Sequence, residues 1–216
     1  GMPDEMLVAA LDYAAQGWLV VPLHSVADGV CTCGDPGCTS AGKHPRTRTG
    51  LSEASLDHAQ IRLWWERWPA SNVGIATGER SGIWVLDVDA KGSPSGVESW
   101  AALVAEHGQQ ETQTAETGSG GAHVVYAWAD GVRNRQGIRV DGERTQIDVR
   151  GDGGYIVAPP SVHSSGRRYR WVRQDRPAPA PEWLLDLVLP PVPKAGPPPV
   201  VRVDALDRET RYAQAV

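Results

Sequence analysis

The run Ile83-Trp84-Val85-Leu86-Asp87-Val88-Asp89 constrains the fold of this 216-residue chain more than any other stretch. Side chains of a strand alternate between its two faces, so four apolar residues in succession require cover on both sides. The acids at its end mark where the strand leaves the core. A sheet with helices packed against it is the expected outcome, built as one large domain or as two small lobes sharing a core.

The flanking sequence supplies those helices and further strands. Leu7, Val8, Leu11, Ala14 and Ala15 fall at helical spacing and Gly17 stops them. Trp18 to Leu23 reads as a buried strand. Ser55 or Asp57 caps a second helix, with Ile61, Trp64, Trp65 and Trp68 along one side and Pro69 at its end; the tryptophans are assigned to core. A strand is expected over 72–77, a turn at Gly78 to Ser81, and a helix over 96–107 with Val97, Trp100, Ala101 and Val104 inward. Further strands are expected over 112–117, 123–128, 146–150 and 155–158, the last two as a hairpin across a Gly-rich turn. A strand over 168–172 and a helix over 182–188 follow. His58 and His107 read as solvent-facing.

These elements predict an α+β fold over residues 5–189, with a central, largely antiparallel sheet and flanking helices. Residues 28–50 show no periodicity and read as an insertion. Residues 190–203 read as a semi-rigid Pro-rich linker, and 204–216 as the start of a truncated downstream helical region. Gly1 before Met2 reads as a tag remnant.

Composition excludes whole classes. With 41% apolar and 22% charged residues, the chain is neither collagen-like, fibrous nor wholly disordered. No apolar run approaches the roughly 18 to 20 residues a membrane span needs, so a cytoplasmic protein without membrane partners is expected. Net charge is −5, but unevenly spread: residues 1–130 hold 7 basic and 16 acidic residues, residues 131–176 hold 10 and 5. All ten of those bases are arginines, whose planar fork suits phosphate. A cationic face on an acidic protein is compatible with a polyanion, and also with a solvated loop paired to the acidic half.

Asp87 and Asp89, two apart on a strand, project from one face. Like charges so close repel unless a cation neutralises them, and an oxygen-rich pair favours Mg²⁺ or Mn²⁺; solvated acids at a strand end are the competing reading. Asp148 adds a third carboxylate in a similar strand, with Arg150 on the same face. Three carboxylates can hold one or two divalent ions beside an arginine that neutralises phosphate oxygens, a set suited to nucleotidyl transfer. Between them, Thr117-Gly118-Ser119-Gly120-Gly121-Ala122-His123 offers backbone amides of a Gly-rich turn, a hydroxyl and an imidazole to a phosphate; an ordinary hairpin turn is the alternative.

Cys31, Cys33 and Cys38 cannot form a closed set of disulfides and suit a reducing compartment. With His44 they supply the four ligands of a tetrahedral zinc site; His24 competes for the fourth place, and free thiols in a loop are the other reading. Lys43, Arg46 and Arg48 stand close enough to offer phosphate contacts; a solvated loop is the other reading.

In this order, Leu86-Asp87-Val88-Asp89, Ser119-Gly120-Gly121-Ala122-His123, and Ile147-Asp148-Val149-Arg150-Gly151 running into Gly154 to His163, the sequence resembles the primase-polymerase domain of the archaeo-eukaryotic primase superfamily. The bifunctional type found in plasmids, phages and integrated elements fits best, over residues 7–189. The resemblance implies that Asp87, Asp89 and Asp148 are catalytic and hold the divalent ions. It implies that His123 contacts the nucleotide's phosphates, with Ser119, Gly120 and Gly121 in the same loop. Arg150, Ser161 and His163 are implied on the triphosphate side. Many relatives carry a glutamate at the second metal position, where this chain has the shorter Asp89. Implied partners are a single-stranded DNA template, nucleoside triphosphates, and a helicase or accessory region downstream. A metal-dependent phosphodiesterase or nuclease, and a non-catalytic zinc-containing DNA-binding module, are the rival readings.

Overall fold

The computed structural model describes residues 4–191, 193 and 195–198. The expected helical region at 204–216 and part of the 190–203 linker lie outside them. In chain order the elements are α1 (Glu5–Ala15), β1 (Val20–Leu23), β2 (Val26–Ala27), β3 (Val30–Cys31), α2 (His58–Arg67), β4 (Asn72–Ala76), β5 (Ile83–Val88), α3 (Gly96–His107), β6 (Thr114–Glu116), β7 (Ala122–Ala127), β8 (Arg139–Val140), β9 (Glu143–Arg144), β10 (Ile147–Arg150), β11 (Tyr155–Ala158), β12 (Arg170–Arg173) and α4 (Glu182–Val188). The fold is α+β, and every pairing between strands is antiparallel. No helix of the described residues is long and apolar enough to cross a membrane.

Two sheets carry the structure. A five-stranded sheet has the order β10-β5-β7-β6-β12, and a three-stranded sheet the order β1-β4-β11. The run that ends in acids is strand β5, second in the larger sheet and covered on both faces. Trp84, Leu86 and Val88 pack with Leu103 of α3 and with Leu184 and Val188 of α4. On the other face, Ile83 and Val85 join a core built from α1, α2 and the smaller sheet. Asp87 continues that second face beyond the core.

Local chemistry accounts for the helix boundaries. The Asp57 side chain accepts from the Ala59 amide at the start of α2, and Trp68 closes its end before Pro69. Ser95 and Glu98 form a reciprocal capping box on α3. The inward face of α3 differs from the periodicity reading: Leu103 is buried and Trp100 half-buried, whereas Ala101 is exposed and Val97 is 41% exposed. His58 and His107 are both exposed, as expected, and His107 also stacks on Trp183 with ring centroids 4.1 Å apart.

The hairpin expected over 146–158 does not form. β10 pairs with β5 in the larger sheet, whereas β11 pairs with β4 in the smaller one. The Gly151–Gly154 turn therefore carries the chain between sheets, beside the parallel crossing from β4 to β5. The two crossings are tied together: the Thr77 amide donates to the Gly154 carbonyl (2.9 Å), the Thr77 hydroxyl to the Gly151 carbonyl (2.7 Å) and the Glu79 amide to the Asp152 carboxylate (2.9 Å). Near these crossings the acidic face of the larger sheet looks across at the edge of the smaller one.

Candidate active site

Asp148, Asp87 and His123 are direct cross-strand neighbours on β10, β5 and β7. Such neighbours on one face have Cβ atoms about 4.5–5.5 Å apart. Their partners on the opposite face are apolar and buried, so the alternation of each strand forces these polar side chains to the same side. Asp89, just past the end of β5, shares the face of Asp87. All four line a cleft of about 450 Å³ with Arg150, Ser119, His163, Lys43 and Lys91.

Within the cleft two of the three acids are already paired. Arg150 Nη2 lies 3.1 Å from Asp87 Oδ2 and 3.4 Å from Asp148 Oδ2, and His123 Nε2 lies 3.4 Å from Asp87 Oδ1. Burial pushes the Asp87 carboxyl up, but the His123 hydrogen bond and the His123 and Arg150 charges outweigh it and hold the group well below the usual carboxylate range. Asp148 Oδ1 accepts from the Gly137 amide (2.8 Å) and Asp89 Oδ1 from the Lys91 amide (2.9 Å). Carboxylate oxygens in this number suit a hard divalent cation such as Mg²⁺ or Mn²⁺. Arg150 neutralises Asp87 and Asp148 here, so a cation at that pair takes over a role the guanidinium now fills.

The opposite rim is cationic. Nδ1 of His163 accepts from the Ser165 amide (3.1 Å), which leaves Nε2 to carry the proton of the neutral ring. Partial burial, then the charges of Lys43, Lys91 and Arg167, lower the His163 pKa. The cleft lining thus combines carboxylates with basic groups and hydrogen-bond donors.

The Gly-rich loop has a different internal logic from the one its composition suggests. The amides of Gly120 and Gly121 donate to the carbonyl and hydroxyl of Thr117 (3.0 Å each), so neither is a free phosphate donor. Gly121 is needed for close approach: a Cβ there would lie 2.2 Å from the Val88 carbonyl oxygen. Gly118 packs likewise, its absent Cβ leaving room for the His163 side chain. The loop thus seats the start of β7, which carries His123, against β5, and Ser119 alone of its three expected contacts lines the cleft.

Ser161 does not reach the cleft. It is fully buried, and its Oγ accepts from the Val73 amide (2.8 Å). Asn72 holds the same loop through both Val162 backbone groups, accepting from the amide (3.0 Å) and donating to the carbonyl (2.9 Å). The Ser-Val-His segment is clamped to β4 by Ser161 and exposes only His163 to the site.

Tyr169, Asn134, Tyr155 and Thr117 also line the cleft and were not singled out from the sequence. Tyr169 stacks on His123 with ring centroids 6.2 Å apart, and burial followed by the Asp87 charge raises its hydroxyl pKa. Its position between Arg168 and Arg170 marks it as the inward residue of an alternating strand, the one available signal.

Beside the cleft, Cys31, Cys33, Cys38 and His44 converge with all four ligand atoms within 4.8 Å of one another. His44 Nε2 lies 3.6 Å from both Cys31 Sγ and Cys38 Sγ. Zinc bonds of about 2.3 Å to sulfur and 2.0–2.1 Å to nitrogen put neighbouring corners of a tetrahedron roughly 3.5–3.8 Å apart, so the donor set fits that ion. Burial raises the Cys31 thiol pKa, yet the backbone amides of Cys33 and Gly42 outweigh it and bring it down to about 6, favouring the thiolate that zinc binds. His24 is not the fourth ligand: its Nδ1 meets the Thr32 hydroxyl (2.9 Å) and its ring lies against His44, centroids 4.5 Å apart.

Carboxylates and basic side chains lining one cleft of an antiparallel sheet, with a Cys₃His cluster alongside, are compatible with phosphorylated substrates. Residues 10–183 match the Prim-Pol family, described as "Bifunctional DNA primase/polymerase, N-terminal". The chain belongs to that family, whose chemistry is nucleotidyl transfer on DNA and nucleotide substrates. No curated protein matches the sequence.

Proposed function

We propose that this domain catalyses template-directed nucleotidyl transfer, in which a 3′ hydroxyl, or that of an initiating nucleotide, attacks the α-phosphate of a nucleoside triphosphate and pyrophosphate leaves. The observation that carries the reading is the register that sets Asp148, Asp87 and His123 side by side, with Arg150 against the two acids. Asp87, Asp89 and Asp148 are the residues that would hold Mg²⁺ or Mn²⁺, which supplies charge stabilisation to the attacking and leaving oxygens. His123, buried and stacked on Tyr169, would meet a phosphate oxygen from a fixed orientation by exchanging its 3.4 Å contact with Asp87 Oδ1. Arg150 offers the planar fork that matches phosphate as well as carboxylate. Ser119 and the Nε2 proton of His163 orient the triphosphate from the opposite rim. Positioning and preorganised charge then account for most of the rate.

The Cys₃His cluster is assigned a structural zinc, because four protein ligands close its coordination. Single-stranded DNA is the template, with a helicase or helical accessory region as companion in the cytoplasm. The test offers labelled triphosphates and single-stranded DNA, with and without a primer, in Mg²⁺ or Mn²⁺. Template-dependent product is expected, reduced at least about a hundredfold by Asp87→Ala. Full extension by Asp87→Ala would overturn the assignment. Shortening of labelled DNA without triphosphate would favour a phosphodiesterase.

A further inference from the structure

A second cationic site lies on α2 and the segment after the cysteine cluster. Residues 1–130 hold only 7 basic residues against 16 acidic ones, yet Arg46, Arg48 and Arg67 line one shallow cavity of about 410 Å³ with Trp64, Trp68 and Leu63. The Arg46 guanidinium stands 4.9 Å and that of Arg67 4.8 Å from the centre of the Trp68 ring. Two like charges are therefore held within about 10 Å, roughly one Debye length at 0.1 M salt.

None of these three arginines has a carboxylate partner among the described residues; Arg62, Arg80, Arg133, Arg135, Arg139, Arg144 and Arg176 share that with them, whereas Arg150, Arg167, Arg168, Arg170 and Arg173 are paired, so what marks this group is its convergence on one cavity. Glu53, the acid in the cavity wall, turns instead to the Thr49 amide and hydroxyl (2.7 and 3.0 Å). Arg48 and Arg67 are exposed, and Leu63 is 59% exposed on the same helix. Guanidinium groups without a carboxylate partner, two of them over the Trp68 ring and one of those, Arg46, also donating to Ser71 Oγ (3.3 Å), stand with an exposed apolar side chain and together suit phosphates alternating with unstacked bases. A duplex would offer its phosphates while keeping its bases stacked.

The chain itself links this patch to the catalytic cleft. Lys43 lines the cleft, His44 belongs to the metal cluster, and Arg46 and Arg48 line the patch. The segment is held in line by β1: the Arg46 amide donates to the Pro22 carbonyl (2.9 Å) and the His24 amide to the His44 carbonyl (2.8 Å). At about 3.3 Å per residue, Lys43 and Arg48 are at most roughly 17 Å apart along the chain, a handful of nucleotides.

We infer that Arg46, Arg48, Arg67 and Trp68 form a grip for single-stranded nucleic acid outside the catalytic cleft, holding the template strand on its way to or from it. The inference rests on the reading of the domain as a template-using enzyme, but its test does not require catalysis. Binding of a fluorescein-labelled oligothymidine is followed by anisotropy without triphosphate or divalent ion, so a protein that fails to extend primers still answers it. Arg48→Glu/Arg67→Glu is expected to keep its zinc content and melting temperature while weakening binding about tenfold or more at 0.1 M salt. The slope of log affinity against log salt should fall by about 1.4, since each lost single-strand phosphate contact removes about 0.7. Arg67→Gln should show about half that slope change. Unchanged affinity and slope in the double variant would overturn the proposal, as would equal weakening for a duplex of the same length.

Discussion

Ser161 separates a residue that builds the site from one that touches substrate. Its Oγ is the acceptor for the Val73 amide at 2.8 Å, and both residues are fully buried. Ser161→Ala leaves that amide without a partner and without access to water, a loss of about 1–3 kcal/mol. In a domain of this size each kcal/mol lowers the melting temperature by about 2–4 °C, so a fall of roughly 2–12 °C is expected by calorimetry. Nucleotide affinity should change little, because the hydroxyl does not reach the cleft and Asn72 still holds Val162 at both backbone groups. The paired variant, His163→Ala, should behave oppositely. It removes a cleft-facing donor to a charged group, worth about 1.5–3 kcal/mol or some 10- to 150-fold in affinity, with little effect on melting. Titration with a nucleoside triphosphate in Mn²⁺ reads both. A Ser161→Ala protein that melts normally but binds nucleotide tenfold more weakly would refute the reasoning.

Gly121→Ala is expected to destabilise the protein by about 1–3 kcal/mol through overpacking against the Val88 carbonyl, and to reduce primer extension because β7, and His123 with it, must shift; a normal melting curve would contradict this. Metal analysis of purified protein should find one zinc per chain, lost in His44→Ala and retained in His24→Ala, since His24 supports the His44 ring rather than ligating. Retention of zinc by His44→Ala and its loss from His24→Ala would reverse the assignment of the fourth ligand.

Much of this molecule is legible in its residues. The positions of α1, α2, α3 and α4 follow from apolar spacing, with Gly17 after α1 and with Asp57 and Pro69 bounding α2, because those signals act within a few residues of one another. The acidic end of β5 is likewise local: a strand whose both faces are apolar has nowhere to put Asp87 except at its edge. Harder to read were features that depend on which strand pairs with which. The pairing of β10 and β11 with different partners was hidden because a Gly-rich turn permits a hairpin and a crossing between sheets equally well. Periodicity places Val97 and Ala101 inward on α3, whereas Leu103 and Trp100 pack with α4 and the sheet, a choice that depends on partners distant in the chain.

The site divides along the same line. Amino-acid type alone determined that Asp87, Asp89, Asp148, His123 and Arg150 carry usable chemistry, and that three cysteines with a histidine suit a metal, because donor atoms and charge belong to the residue wherever it lies. Tertiary structure alone decided that Asp148, Asp87 and His123 stand in one row, that Arg150 meets both acids, and that His44 rather than His24 completes the cluster. It also turned Ser161 inward and drew Gly120 and Gly121 into contacts with their own loop. Those outcomes depend on strand register and on packing between residues up to 90 positions apart, which no short window of sequence contains.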